Sequence, residues 1–86
     1  MILAKAPTSA WRLIAGEAVI LSLDTKVLRG LNEVGSRVWD LIDGQRTVDD
    51  IVGVIVDEFD VPRQQAAEDV EAFVRQLVDK GLVAGQ

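Results

Sequence analysis

Hydrophobic and polar positions follow two different rhythms along this chain. In the first third, short apolar and β-branched runs alternate with turn signals near Gly16 and Asp24, a pattern typical of strands joined by tight turns. It predicts a three-stranded antiparallel meander with strands at about residues 11–15, 18–23 and 26–30.

From Asn32 onward the apolar residues recur at the spacing of α-helices. Asn32 is a predicted N-cap, and Thr47 with Asp50 resembles a capping box. Pro62 breaks the second helical pattern and suits the first turn of the next helix, while Gly81 suits a left-handed C-cap. We therefore predict three helices, α1, α2 and α3, at about residues 33–42, 48–59 and 62–80, followed by a short extended segment at 82–83.

Three strands followed by three helices give an α+β domain of winged-helix-like architecture. With 49% hydrophobic residues, a chain of 86 residues can form one compact core. The sequence contains no internal repeat, low-complexity segment or linker, so residues 1–86 are predicted to form a single domain.

The third helix carries a wider apolar arc than one packing contact requires. Its predicted core stripe consists of Ala66, Val70, Phe73 and Leu77. Beside it runs a second stripe, the α3 shoulder, formed by Ala67, Glu71, Val74 and Val78, with Arg63 and Arg75 near its edges. The shoulder is a candidate docking surface, although a small domain that wraps this helix on two sides would produce the same pattern.

The composition excludes most catalytic chemistry. The chain has no Cys and no His, which removes thiol nucleophiles, imidazole bases and the usual zinc ligands. Adjacent carboxylates such as Asp49 and Asp50 splay about 100° apart on a helix and face solvent, and no glycine-rich phosphate-binding motif is present. We expect no catalytic residue, no metal and no cofactor, and therefore a protein that is not an enzyme.

The same composition bears on the compartment. Without cysteines there is no disulfide framework, which favours a cytoplasmic location. The segment before Ala10 is too short, and too interrupted by Lys5 and Pro7, to be a signal peptide or a membrane span. No membrane partner is expected.

The formal net charge of −5 disfavours binding to nucleic acid, because phosphate contacts draw on clustered Lys and Arg. In the third helix, the reading helix of a winged-helix DNA-binding protein, the charged residues are Arg63, Arg75 and Lys80 against Glu68, Asp69, Glu71 and Asp79. DNA binding is therefore an alternative that the charge balance argues against.

Either tryptophan could anchor a ligand. Trp39 lies next to the core face of the first helix and is predicted to pack between that helix and its neighbours. Trp11, near the start of the first strand, is predicted to be the more exposed of the two.

The last strand of the meander is an edge, and an edge strand exposes unpaired N–H and C=O groups to which another extended chain can bind. If the third helix lies beside this edge, the α3 shoulder forms the opposite wall of a groove. Alternatively, Lys26 and Arg29 are charges that protect a short edge from aggregation.

Four segments carry a further signal through their order and spacing. They are Gly16 to Thr25, Leu31 to Gly44 with Trp39 and Asp40, Thr47 to Ile51, and Asp69-Val70 with Phe73, Leu77 and Gly81 to Val83. Together they resemble the PqqD-like recognition elements of ribosomally synthesised and post-translationally modified peptides (RiPPs). The resemblance implies a winged-helix-like, non-catalytic domain that binds the leader region of a precursor peptide as an added β-strand on its third strand, against its third helix.

Carried over onto this sequence, the resemblance implies a binding site with a strand wall and a helix wall. The strand wall is Lys26, Val27, Leu28 and Arg29. The helix wall is Ala67, Val70, Glu71, Val74, Arg75 and Val78. Proteins of this kind often carry aromatic residues on the third strand, where this chain has Val27 and Leu28.

Within the family the chain is most similar to the stand-alone leader-binding protein of lasso-peptide biosynthesis. That branch implies two partners, a separate cysteine-protease-type leader peptidase and a lasso cyclase, and this chain cannot be the peptidase because it lacks Cys and His. The alternative is the quinone-cofactor branch, which acts as a chaperone for a peptide modified by a radical enzyme.

The missing nucleophiles lead to a first prediction: the protein alone changes no covalent bond in a precursor peptide. A candidate precursor incubated with the purified protein should keep its mass in a mass-spectrometric time course. Cleavage or any mass change in the absence of a second protein would contradict this expectation.

Overall fold

The computed structural model describes residues 2–23, 26 and 28–85. Three helices lie in this part of the chain: α1 (Glu33–Leu41), α2 (Val48–Phe59) and α3 (Arg63–Asp79). The prediction of three helices after a strand-rich start is confirmed, with α3 beginning one residue after Pro62, which serves as its N-cap.

The strands form two antiparallel sheets. The larger sheet has the order β2-β3-β4 and contains β2 (Ser9–Ile14), β3 (Glu17–Ser22) and β4 (Leu28–Gly30), so the predicted meander is confirmed. The smaller sheet pairs β1 (Leu3–Lys5) with β5 (Val83–Gly85). We did not predict β1, because three residues are too few to show an alternating pattern, and the predicted final segment lies one residue later than expected.

Local backbone conformations explain where the elements begin and end. Ala15 and Gly16 have φ of 52° and 82°, and two successive residues at positive φ give a hairpin turn whose twist matches the strands it joins. The Asn32 side chain accepts a hydrogen bond from the Gly35 amide at 2.8 Å. Gly81, with φ of 72°, follows the end of α3. Turn and cap residues therefore fix the hairpin and the helix ends where the sequence predicts them.

The second helix has the predicted capping box. The Thr47 hydroxyl accepts from the Asp50 amide at 3.1 Å, and the Asp50 carboxylate accepts from the Thr47 amide at 3.0 Å. The bond from the Thr47 amide to the carboxylate lowers the pKa of Asp50 below its ordinary value, because it favours the charged form of the carboxyl group.

The core lies between the large sheet and the three helices. Trp39 is fully buried, which confirms its predicted packing role. The largest buried side chains around it are Leu3, Ile20, Ile42, Ile51, Ile55 and Leu77. In the predicted core stripe of α3, Ala66, Val70 and Leu77 are buried, whereas Phe73 is half-buried.

The inward face of α1 differs from the prediction at two positions. The helical spacing of Val34, Val38, Leu41 and Ile42 predicts that all four lie on one apolar face. Val34 is nevertheless exposed, and Ser36 is buried instead. The Ser36 hydroxyl accepts a hydrogen bond from the Ala18 amide at 2.7 Å and donates one to the Leu31 carbonyl at 3.3 Å. A hydrophobic pattern cannot reveal a polar residue that is buried for its hydrogen bonds.

The buried bonds of Ser36 lead to a stability prediction. Ser36→Ala leaves the Ala18 N–H buried without an acceptor, so the free energy of unfolding should fall by about 1–3 kcal/mol. Urea unfolding followed by circular dichroism measures this change.

Ser9→Ala is the matched control. Its hydroxyl donates to the Ala6 carbonyl at 2.7 Å, but that carbonyl also accepts from the Ser9 amide at 3.0 Å, so the substitution leaves no backbone group unpaired. If Ser36→Ala proves no more destabilising than Ser9→Ala, the bridge between β3 and α1 is not a stabilising feature.

Candidate functional site

β4 is an outer strand of the large sheet, and β3 is its only strand neighbour in the described part of the chain. The register pairs Arg29 with Ile20, and beyond the end of β4 the Leu31 amide donates to the Ala18 carbonyl at 2.8 Å. Hydrogen-bonded pairs alternate along antiparallel strands, so the backbone groups of Arg29 face β3. Those of Leu28 and Gly30 consequently point away from the sheet.

The third helix lies beside this edge. The Arg29 guanidinium Nη2 donates to Gln76 Oε1 at 2.9 Å, which joins β4 directly to α3. Asp69, Phe73 and Gln76 lie three or four positions apart and therefore share one face of the helix. The predicted juxtaposition of edge strand and third helix is thus present in the structure.

A recess of about 420 Å³ opens between β4 and the helices; we call it the β4 recess. Arg29, Gly30, Asp69 and Phe73 line its side toward β4 and α3. The rest of its wall is largely apolar and includes Val34, Val38, Ile55, Phe59, Val61, Ala66 and Val70. Such a surface suits apolar side chains of an extended ligand, with polar groups only at one side.

Gly35 belongs to the same recess. A Cβ at this position would lie 3.5 Å from Phe73 Cζ and 3.1 Å from Asn32 Oδ1. In the sequence, Gly35 weakens the predicted first helix, which indicates close packing against the sheet. The structure shows that the close approach is instead to α3, so this glycine lets the start of α1 meet the helix that walls the recess.

The predicted strand wall is partly described. Leu28 is 68% exposed and Arg29 is half-buried. Lys26 is exposed and lies before the start of β4, and its amide donates to the Ser22 carbonyl at 2.7 Å. Val27 lies outside the described residues.

The predicted helix wall divides between two places. Val70 lines the β4 recess, and Ala67 packs against the core. Four others, namely Glu71, Val74, Arg75 and Val78, line a second recess of about 510 Å³ together with Thr47, Val48 and Asp49 at the start of α2. We call this second space the α2 recess.

Most of the predicted helix wall is therefore not beside β4, and Val74 is only 6% exposed. Projecting residues around a helix identifies an apolar arc but cannot tell which flank of that arc meets which neighbour. Sequence reasoning missed Asp69 and Gln76 as wall residues and assigned Phe73 to the core. The sequence does contain a signal for these three residues, because Asp69, Phe73 and Gln76 occupy positions i, i+4 and i+7 and so form a row beside the core stripe.

Lys5 and the two tryptophans form a separate cluster. The Lys5 Nζ donates to the Ile42 carbonyl at 2.8 Å and lies 5.1 and 5.2 Å from the ring centroids of Trp11 and Trp39. Burial lowers the pKa of Lys5, against the opposing effect of Asp40 and Asp43. Trp11 is 42% exposed, as predicted, and this cluster links β1 and β2 to α1.

Glu58 and Asp43 stabilise the fold through their hydrogen bonds. The bidentate bond from Arg37, at 2.9 and 2.8 Å, lowers the pKa of Glu58 and joins α1 to α2. Backbone hydrogen bonds from Gln45 and Arg46 lower the pKa of Asp43. The described residues include no group of carboxylates placed to hold a metal ion, and no helix among them is long and apolar enough to cross a bilayer.

Comparison with known proteins identifies this arrangement. Residues 17–83 match the family described as Coenzyme PQQ synthesis protein D (PqqD). The chain belongs to the PqqD family. A curated relative from Rhizobium meliloti (strain 1021), called PqqA binding protein, is 28% identical over 64 residues, which is 74% of this chain and 63% of the relative. The match therefore spans less than two thirds of that relative's length.

Solved structures confirm the predicted α+β fold. TbiB1 in complex with the TbiA(beta) leader peptide is 32% identical, with 96% of each chain covered and a TM-score of 0.88. Lasso peptide synthetase B1 complexed with its leader peptide shares the fold at 18% identity and a TM-score of 0.87, over 99% of this chain and 100% of that one. The heterocyclase TruD shares it at 19% identity and a TM-score of 0.67, over 96% of this chain but 11% of TruD.

Proposed function

We propose that this PqqD-family chain is a non-catalytic module that binds the leader region of a ribosomally synthesised precursor peptide as a strand added to β4. The observation that carries the proposal is the outer edge of β4, which pairs with no described strand other than β3 and whose outward-facing backbone groups at Leu28 and Gly30 lie beside the β4 recess. The complex of TbiB1 with a leader peptide supports it, since that protein is 32% identical over 96% of this chain.

In the proposed complex the ligand strand hydrogen-bonds to the backbone of Leu28 and Gly30. Alternate side chains of a strand point to opposite faces, so every second ligand residue faces α3. These residues pack against Phe73 and fill the apolar wall of the β4 recess. Backbone bonds supply affinity and the recess supplies selectivity, as is general for strand addition.

The module then presents the bound leader to enzymes that it does not itself contain. We propose that these are a separate cysteine-protease-type leader peptidase and a lasso cyclase, acting in the cytoplasm. Two structural neighbours with TM-scores of 0.88 and 0.87 are leader-bound proteins, one of them a lasso peptide synthetase B1, and this favours the lasso branch.

A PqqD-type chaperone for a peptide modified by a radical enzyme is the second candidate. It is favoured by the relative called PqqA binding protein, at 28% identity over 74% of this chain. Measuring the affinity of the protein for PqqA and for the TbiA(beta) leader under the same conditions separates the two branches. The lasso assignment requires the tighter complex to be the one with the TbiA(beta) leader.

The outward amide of Leu28 gives a direct test of strand addition. Leu28→Pro removes an N–H that the ligand uses, while Leu28→Ala removes the same side chain and keeps the N–H. Measured by fluorescence anisotropy with labelled TbiA(beta) leader, the proline variant should bind more weakly than the alanine variant by about 0.5–1.5 kcal/mol. Arg29→Pro should instead destabilise the domain, because its N–H faces β3.

Amide hydrogen exchange provides an independent test of strand addition to β4. In the free protein the amides of Leu28 and Gly30 should exchange fast and that of Arg29 slowly; saturating leader should protect the first two. Equal affinities of Leu28→Pro and Leu28→Ala, with no added protection of these amides at saturation, would show that the peptide binds elsewhere.

A matched pair of valines distinguishes the two recesses. Val34 lines the β4 recess and is 36% exposed, and Val78 lines the α2 recess and is 42% exposed, so both tolerate a polar substitution. Val34→Asp should weaken leader binding at least about tenfold, because it places a charge in a surface that is desolvated on binding. Val78→Asp should leave the affinity within about twofold.

Thermal unfolding of both variants, followed by circular dichroism, shows whether each retains the fold. The converse pattern, in which Val78→Asp alone weakens binding, would place the leader on the α3 shoulder, where the sequence first put it.

A further inference from the structure

Arg29 is a half-buried cation that has no charged partner among the described residues. Its Nη2 donates to the neutral amide oxygen of Gln76 at 2.9 Å, and its Nε is buried with no hydrogen-bond acceptor. Ion pairs within the described residues involve Arg37 and Arg46 and not Arg29. The cation therefore lies at the binding edge with part of its hydrogen-bonding capacity unused.

The contrast with Arg37 shows what Arg29 lacks. Arg37 donates to Glu58 through Nε and Nη2 and to Asp40 through Nη1, all at 3.2 Å or less. A buried or half-buried charge that lacks such a partner is destabilising. A carboxylate brought to Arg29 would replace or join a neutral acceptor and form charge-assisted bonds, which are stronger.

The recess does not provide that carboxylate itself. Asp69 lines the same recess as Arg29, but both of its carboxylate oxygens accept from Gln65 Nε2, at 3.0 and 3.1 Å, and it makes no ion pair with Arg29. No carboxylate of the described residues pairs with Arg29, so a carboxylate on the ligand can take that role.

The register of β4 locates the position of that partner. Arg29 pairs with Ile20, which is buried, so its side chain lies on the sheet face that meets the helices. A strand hydrogen-bonded to Leu28 and Gly30 places one residue directly opposite Arg29, with its side chain on the same face and its Cβ about 4.5–5.5 Å away.

We propose that Arg29 selects leader peptides with an aspartate or glutamate at the position opposite it in the added strand. The inference rests on the proposed function, because it requires a strand on β4. Arg29 is then a specificity-determining residue that selects an acidic side chain at one ligand position. The β4 recess selects apolar side chains at the neighbouring ligand positions on the same face.

The test is a glutamate walk along the TbiA(beta) leader. Peptides with amidated C-termini carry Glu at one position at a time, and a matched set carries Gln, so that only a side-chain carboxylate distinguishes them. With the wild-type protein, Glu should bind about tenfold more tightly than Gln at one position. Raising the salt concentration should reduce that preference.

Substitutions at Arg29 then assign the preference to this residue. With Arg29→Met the preference for Glu over Gln should disappear. With Arg29→Glu the charge preference should reverse, so that a peptide with Lys at this position binds more tightly than the peptide with Glu. Arg75→Glu, an exposed residue of the α2 recess, is the charge-matched control and should leave the wild-type pattern unchanged. Circular dichroism of each variant verifies folding, with Arg29→Met as the variant that disturbs the groove least.

Two outcomes would overturn the inference. In the first, the ratio of the affinities for the Glu and Gln peptides depends on residue 29 at no ligand position. In the second, the preference for Glu is lost with Arg75→Glu and kept with Arg29→Met. Repeating the glutamate walk with peptides that have a free C-terminal carboxylate shows whether that group can pair with Arg29 in place of a side chain. A preference for Glu that appears only with these peptides would also overturn the inference. Failure of the proposed function looks different, since Leu28→Pro and Leu28→Ala would then bind equally well whatever the ligand charge.

Discussion

Three hydrogen bonds connect Ala18 of β3, Leu31 just after β4 and Ser36 of α1, and the position of the groove depends on them. The Ser36 hydroxyl bonds to the Ala18 amide and the Leu31 carbonyl, and the Leu31 amide bonds to the Ala18 carbonyl. Together they satisfy the backbone of β3 at the point where β4 ends. Because the chain leaves the sheet here and immediately becomes helical, the first turn of α1 is held beside the edge strand.

The groove is then completed by α3, which is asymmetric around its axis. One flank contacts the core and α2, and the flank with Asp69, Phe73 and Gln76 lies toward β4. In a winged-helix DNA-binding protein the corresponding helix presents positive charge to phosphates. Here the flank beside β4 carries Asp69, and Arg29, a cation that reaches across the groove to Gln76, comes from the strand. The charges of this site suit a polypeptide better than a nucleic acid.

Much of the fold could be predicted because it follows from local chemistry. The caps at Asn32 and Thr47 and the glycines at 16 and 81 mark element ends with side chains or conformations that few residues supply. The site was harder to predict, because it depends on which flank of α3 meets β4. Phe73 illustrates the limit: its spacing fits the core stripe, and only the three-dimensional arrangement shows that it is half-buried at the recess. Ser36 and β1 escaped prediction because neither produces a hydrophobic pattern.

The pairing of β1 with β5 has a consequence for how such a domain can be combined with other proteins. Leu3 lies opposite Gly85, and neighbouring strands are about 4.8 Å apart. The polypeptide thus enters and leaves the domain at almost the same point. A longer protein can hold this unit as a graft at a single surface loop without displacing the segments on either side. The same fold can therefore occur as a separate chain or as part of a longer one, and in the heterocyclase TruD it accounts for 11% of the chain.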